Sequence, residues 1–234
     1  MDRRSFNTAT IGAMGLLVAT ATRQAHAIGL ADLTNAEAGQ GLKAALEQGA
    51  VAAVGLLGRQ DGFMGNPLVR IPLPGYLADG AKLLKAMGQG KRVEELELAM
   101  NRAAETAVPL ARDLLVNAVK TMSVTDAKNI LTGGTTSVTS FFAERTRAPL
   151  AVRFLPVVTD ATKKVGLAEK YNQVAGKVAG MGLVKKEEAT IEQYVTGRSL
   201  DGLYKMIGEE EKKIRQNPAG SGSAILSKVF GSLR

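Results

Sequence analysis

Residues 34–58, TNAEAGQGLKAALEQGAVAAVGLLG, decide the fold class. Thr34-x-x-Glu37 reads as a capping box, in which a hydroxyl and a carboxylate satisfy backbone N–H groups at a helix start. Leu42, Leu46, Ala53 and Leu57 then recur at helical spacing as an apolar stripe that ends near Gly58. Gly39, Gly41, Gly49 and Gly55 interrupt it, each costing about 1 kcal/mol of helix propensity relative to alanine. Packing must therefore stabilise this helix, and the glycines predict close approach of another element.

Residues 59–74 form the one long irregular connection. Pro67, Pro72 and Pro74 favour extended backbone there, while Phe63, Met64, Leu68, Val69, Ile71 and Leu73 make it apolar enough to pack onto the helices. Pro74 suits the first turn of a helix ending near Gly88. A further helix from about Lys91 carries Val93, Leu96, Met100 and Ala103, and Pro109 kinks or restarts it. Ser123 to Asp126 resembles a second capping box, before a short helix stopping at Gly133-Gly134.

Thr135 or Thr136 opens the next helix, through Phe141 and Phe142, and Pro149 restarts the chain through Phe154 and Val158. Gly166 precedes a helix at about 167–182, and Thr190-x-x-Gln193 opens the last long one, which ends before Pro218. Alternating strand patterns are few. The expected fold is all-α: a single-domain irregular bundle of about seven to nine helices over residues 28–219, with one long Pro-rich packed loop. Gly-Ser residues 220–223 read as a hinge before a short amphipathic segment to 234 containing Ile225, Leu226, Val229 and Phe230.

The N-terminus reads as a cleaved export signal over residues 1–27: charged Met1-Asp2-Arg3-Arg4, an apolar run from Ile11 to Ala21, and Ala25-His26-Ala27. That run is too short to span a bilayer, which takes roughly 20 residues. Arg3-Arg4-Ser5-Phe6 is twin-arginine-like, although Asp2 and Asn7 depart from that pattern, and the general secretory route is the alternative. Either route predicts a periplasmic protein with no transmembrane segment after cleavage. The remaining 207 residues suffice to bury about 70% of the unfolded chain's surface, so no disulfide or metal is needed for folding.

The mature chain would hold neither cysteine nor histidine, because His26 lies in the signal. That composition excludes Ser-His-Asp and Cys-His catalysis, Cys/His zinc sites and thiolate-bound clusters. No cofactor and no metal site are expected.

Several strings together resemble a known family: Asp61-Gly62-Phe63, Asn66-Pro67, Val69-Arg70-Ile71-Pro72-Leu73-Pro74, Asp126-Ala127-Lys128 with Ile130-Leu131-Thr132-Gly133, and Asp201-Gly202-Leu203 through Glu209-Glu210-Glu211-Lys212 and Ile214-Arg215. Over residues 30–234 the chain resembles the bacterial domain-of-unknown-function family 4197. The resemblance implies an exported, mainly helical protein of Gram-negative bacteria and brings no activity with it. Gly133-Gly134-Thr135-Thr136 departs from the glycine followed by proline or acidic residues that the resemblance leads one to expect, so it supports no acidic role there.

Two surfaces stand out as functional candidates. Phe141, Phe142 and Phe154, with Phe63 and Ile71 of the loop, would line a cavity for an acyl chain or another apolar ligand; Arg70, among apolar neighbours, would meet a protein carboxylate or the ligand's acidic head. The plain alternative is that the aromatics are core. Between Arg145 and Lys186 nine basic residues face only Asp160 and Glu169. Among them Arg145, Arg153, Lys163, Lys164, Lys170 and Lys177 would form a basic face for anionic membrane or a protein partner, unless they are merely solvated. Nucleic acid is not an expected partner, since Phe154 and Tyr171 are the segment's only aromatics.

Lesser features have structural explanations. Ala175-Gly176 and Ala179-Gly180 suit close helix packing. Gly133 to Ser137 places N–H groups at a helix start but lacks the lysine of a phosphate loop, and reads as one helix end followed by the next start. Thr125-x-x-Lys128, Glu94-Glu95 and Glu209-Glu210-Glu211 are the only starting points for a histidine-free hydrolase, and each reads more simply as a cap or an exposed face. The leading expectation is thus a non-enzymatic periplasmic protein holding a lipid or other amphiphilic anionic molecule in a helical pocket. Envelope interaction through the basic face is the alternative, with hydrolysis a minor one.

Overall fold

The computed structural model describes residues 35–75, 81–82, 85–88, 90–134, 136–163, 168–169, 172 and 190–217. The expected export signal at 1–27, the expected hinge at 220–223 and the segment to 234 lie outside them, as do Ala175-Gly176, Ala179-Gly180 and most of the helix expected at 167–182. Among the described residues there are six α-helices: α1 (Asn35–Leu57), α2 (Gly90–Ala107), α3 (Arg112–Lys120), α4 (Val124–Thr132), α5 (Ser137–Thr162) and α6 (Ile191–Gln216). A 3-10 turn, Val108–Ala111, joins α2 to α3. The all-α class stands, and among the described residues the α-helices number six against the seven to nine expected. Helical residues also occur at Gly75, Ala81, Lys82, Lys85 and Ala86, before a turn in which Gly88 has φ +75°, where the helix after Pro74 was expected to end.

The helix boundaries follow local chemistry. Ser123 accepts from the Asp126 N–H and Asp126 accepts from the Ser123 N–H, which completes the capping box of α4. Thr190 caps α6 by accepting from Gln193 N. Pro109 lies in the 3-10 turn and divides α2 from α3. α4 stops at Gly133 as expected, with Gly133 at φ −76° and so outside the left-handed region. Glycine is required there by space: a Cβ would meet the Asn129 carbonyl oxygen at 2.5 Å and Ser137 Cβ at 2.6 Å.

Pro149 does not restart the chain, since α5 runs unbroken through both Pro149 and Pro156. Each proline removes the N–H that would reach the carbonyl four residues back, at Arg145 and Val152. Arg145, Pro149, Val152 and Pro156 all lie on the exposed side, where water can take those carbonyls. Buried Phe142, Leu150, Phe154 and Val158 occupy the opposite side and hold the helix to the core.

One apolar cluster joins α1, the loop, α2 to α6 and the 3-10 turn, with Phe63, Phe142, Phe154, Leu57 and Met100 among its fully buried side chains. The most extensive helix pairing is α5 with α6; α1 packs on α6 and α3, and α2 on α5. Gly39 and Gly55 in α1 have open space around them, so the close approach predicted for α1's glycines does not occur at those two positions.

The loop is anchored as its apolar content predicted. Asn101, fully buried on α2, accepts from Ile71 N at 2.9 Å and donates to Ile71 O at 3.0 Å, replacing the partner strand that this extended segment lacks. Glu105 accepts from Phe63 N and Met64 N, and Arg102 bridges Glu105 and Asp61. Tyr194 donates to Pro72 O and Lys205 to Leu68 O, tying the same loop to α6.

Candidate functional site

The helices α5 and α6 run antiparallel. Arg147 pairs with Asp201, Thr146 meets Tyr204, and Gly208 lies against Thr139, so one chain rises where the other falls. At Gly208 the contact is tight, since a Cβ would come within 2.9 Å of Thr139 Oγ1. Alongside this seam a groove of about 740 Å³ opens to the surface. Two stripes at helical spacing form its sides: Thr136, Thr139, Ala143 and Arg147 from α5, and Asp201, Tyr204, Lys205, Gly208 and Lys212 from α6, with Glu209, Glu211 and Gln216 completing it.

The Tyr204 hydroxyl anchors the floor. Thr146 Oγ1 lies 2.6 Å from the Phe142 carbonyl, so its single proton goes there and Tyr204 is the donor in the 2.9 Å contact between the two hydroxyls. Burial pushes the Tyr204 phenol above its usual value, outweighing the Thr146 hydrogen bond and the nearby Arg147 charge. The Arg147 guanidinium sits over the Tyr204 ring, 5.9 Å from its centre, while pairing with Asp201. Both partners of that pair are about half exposed, at 44% and 50%.

The residues expected to line a ligand cavity are placed elsewhere. Phe63, Ile71, Phe142 and Phe154 are buried in the continuous core, and Phe141 lies edge-on to Phe142 with Arg145 over its other side. None of them lines the groove. Arg70 has the protein carboxylate that was one of its two expected partners: it bonds Glu97 at 2.9 Å on the surface.

The basic face is partly neutralised. Arg145 bonds Asp126 and Lys163 lies 3.4 Å from Asp160, while Arg153 is exposed. Lys164, Lys170 and Lys177 lie outside the described residues. In the acidic run 209–211, Glu211 is buried and departs from the exposed face expected of it. It borders both the groove and a pinhole of about 10 Å³ lined by Leu42, Leu46 and Ile207, with room for at most one water. Among the described residues no three acidic or histidine side chains converge as metal ligands would, and no helix is long and apolar enough to cross a membrane.

Sequence reasoning missed Asp201, Tyr204 and Lys205 as groove residues. Their helical spacing, continued by Gly208 and Lys212 at three and four residues, is visible in the chain, but its partner stripe on α5 is recognisable only once the two helices are known to be neighbours.

The family described as protein of unknown function DUF4197 matches residues 32–231. The chain belongs to that family. No curated protein and no solved structure matches it. In this DUF4197 chain the strings that carried the resemblance are largely joints of the fold. Asp61 adopts φ +62° and bonds Arg102. Gly62 is crowded by the Leu56 and Leu57 carbonyls, Asn66 holds Leu68 N and approaches Met206 Sδ, and Gly202 receives the Phe63 ring. Asp201, Glu209, Glu211 and Lys212 are exceptions, because they line the groove.

Proposed function

We propose that this DUF4197 protein is exported to the periplasm and acts there, without catalysis, as a binding protein for an amphiphilic molecule carrying an anionic group, with the α5/α6 groove as the site. One observation carries the proposal: the groove joins an apolar floor to a charged rim, in which three exposed cations stand with the carboxylates of Asp201 and Glu209. Ala143, Gly208 and the Tyr204 ring supply the floor, and Arg147, Lys205 and Lys212 stand at its edge with stems that can cover a hydrocarbon chain. Its volume of about 740 Å³ suits a small amphiphile. Export rests on the charged, apolar and small-residue parts of residues 1–27.

The groove replaces the loop and phenylalanine wall as the proposed site, because those side chains fill the core. Basic-face binding to anionic membrane is the second reading, favoured by exposed Arg153 but weakened by the Arg145–Asp126 pair.

Titration of the mature chain with dodecanoate by calorimetry, at low and high salt, tests the site. Saturable binding at one per chain, abolished by Ala143→Trp and weakened only modestly by salt, supports the groove. Binding indifferent to Ala143→Trp and lost steeply with salt would transfer the function to the basic face.

A further inference from the structure

We propose that the head group taken by this groove is zwitterionic, an ammonium joined to a phosphate, received where Arg147 faces Asp201. The inference rests on the groove being the ligand site and narrows what it accepts.

Three observations lead to it. The rim carries both signs: Arg147, Lys205 and Lys212 stand with Asp201 and Glu209, while Glu211 is buried. A purely anionic head would meet the two carboxylates and a purely cationic one the three cations, whereas a dipolar head finds a partner for each of its charges. Next, the Arg147–Asp201 pair spans the two helices at the groove's edge with both side chains about half exposed. An ion pair so placed is weak, so a dipolar head can part it and put its phosphate on the guanidinium and its ammonium on the carboxylate. One ion pair is then exchanged for two with no charge left over.

Finally, the backbone beneath need not move. Thr146, next to Arg147 in the chain, and Tyr204, one helical turn from Asp201, are locked together by their buried hydroxyl contact. Opening therefore takes only side-chain rotation of Arg147 and Asp201. Lys205 is held by the Leu68 carbonyl and Lys212 lies about three helical turns along α6 from Asp201, so Arg147 is the cation placed to take the phosphate while Asp201 takes the ammonium.

Three probes with one tail separate the possibilities: dodecylphosphocholine, dodecyl phosphate and dodecyltrimethylammonium, each titrated below its micelle concentration into the mature chain and into Ala143→Trp. The zwitterion is expected to bind the unaltered chain at least about tenfold more tightly than either the purely anionic or the purely cationic probe, and to lose binding in Ala143→Trp. Arg147→Glu should weaken it about tenfold, while the exchange Arg147→Asp with Asp201→Arg, which restores the pair in reverse, should return affinity to within about twofold. Melting curves of each variant confirm that the fold persists. Equal affinity for dodecyl phosphate, with Ala143→Trp still blocking it, overturns the zwitterion and leaves the groove standing. Failure of all three probes to bind, or binding untouched by Ala143→Trp, overturns the groove itself.

Discussion

Phe63 is pressed onto Gly202 so closely that a Cβ on the glycine would lie 2.8 Å from the ring's Cε1 and 3.3 Å from Val69 Cβ. The ring is fully buried and the Phe63 backbone N–H donates to Glu105, which fixes the residue so that the ring cannot swing aside. Two strings far apart in the chain, Asp61-Gly62-Phe63 and Asp201-Gly202-Leu203, thus meet as ring and hollow. That contact sets the loop on α6 and, one residue away, aims Asp201 at the groove.

The same substitution should therefore have opposite effects at two helical glycines. Gly202→Ala gains about 1 kcal/mol of helix propensity but overpacks a rigid ring, a strain of about 1–3 kcal/mol, and lowers the melting temperature. Gly55→Ala meets nothing within 4 Å and raises stability by up to about 1 kcal/mol. Denaturant unfolding of both variants checks the signs, and equal shifts would contradict the packing described.

Asn101→Ala leaves the buried Ile71 N–H and carbonyl without their partner and should cost about 2 kcal/mol or more. Arg70→Ala removes only a surface ion pair and should cost under about 1 kcal/mol, with no effect on ligand affinity. Urea midpoints and one calorimetric titration separate the two roles. A large binding defect in Arg70→Ala would restore that residue to the ligand site.

Pro149→Ala and Pro156→Ala restore a backbone donor within a continuous helix, on its exposed side. Each should raise stability, by about 1–3 kcal/mol in thermal unfolding, and remove any local bend. Destabilisation would mean that the prolines themselves make contacts that matter.

Asp126 connects stability to pH. The Ser123 N–H, then the Ser123 hydroxyl and Arg145, hold its carboxyl below the usual carboxylate range. The folded state thus binds this proton less readily than the unfolded chain. The resulting stabilisation is present above the unfolded value of about 3.9 and is lost as pH falls through the lower folded value. Asp126→Asn should flatten the acid limb of stability measured between pH 6 and pH 2. An unchanged limb would show that other carboxylates dominate.

The fold was legible wherever the signal was local. Ser123 with Asp126 and Thr190 with Gln193 announced helix starts, and the apolar loop announced its own burial. Proline misled at Pro149, because a helix tolerates the missing donor when the freed carbonyl faces water, and that exposure is a property of packing. The phenylalanines drew attention as a pocket wall because a sequence shows apolar character but not whether neighbours fill the space beside it. Arg147 and Asp201 stayed unconnected for the reason that Phe63 and Gly202 did: their meeting depends on which helices are neighbours.

Native mass spectrometry of the protein purified from its native host, beside the Ala143→Trp variant prepared identically, tests the groove most directly. The account predicts a reproducible extra mass at one per chain on the unaltered protein, released on denaturation and missing from the variant. A bare protein in both preparations, or the same extra mass on both, would contradict it.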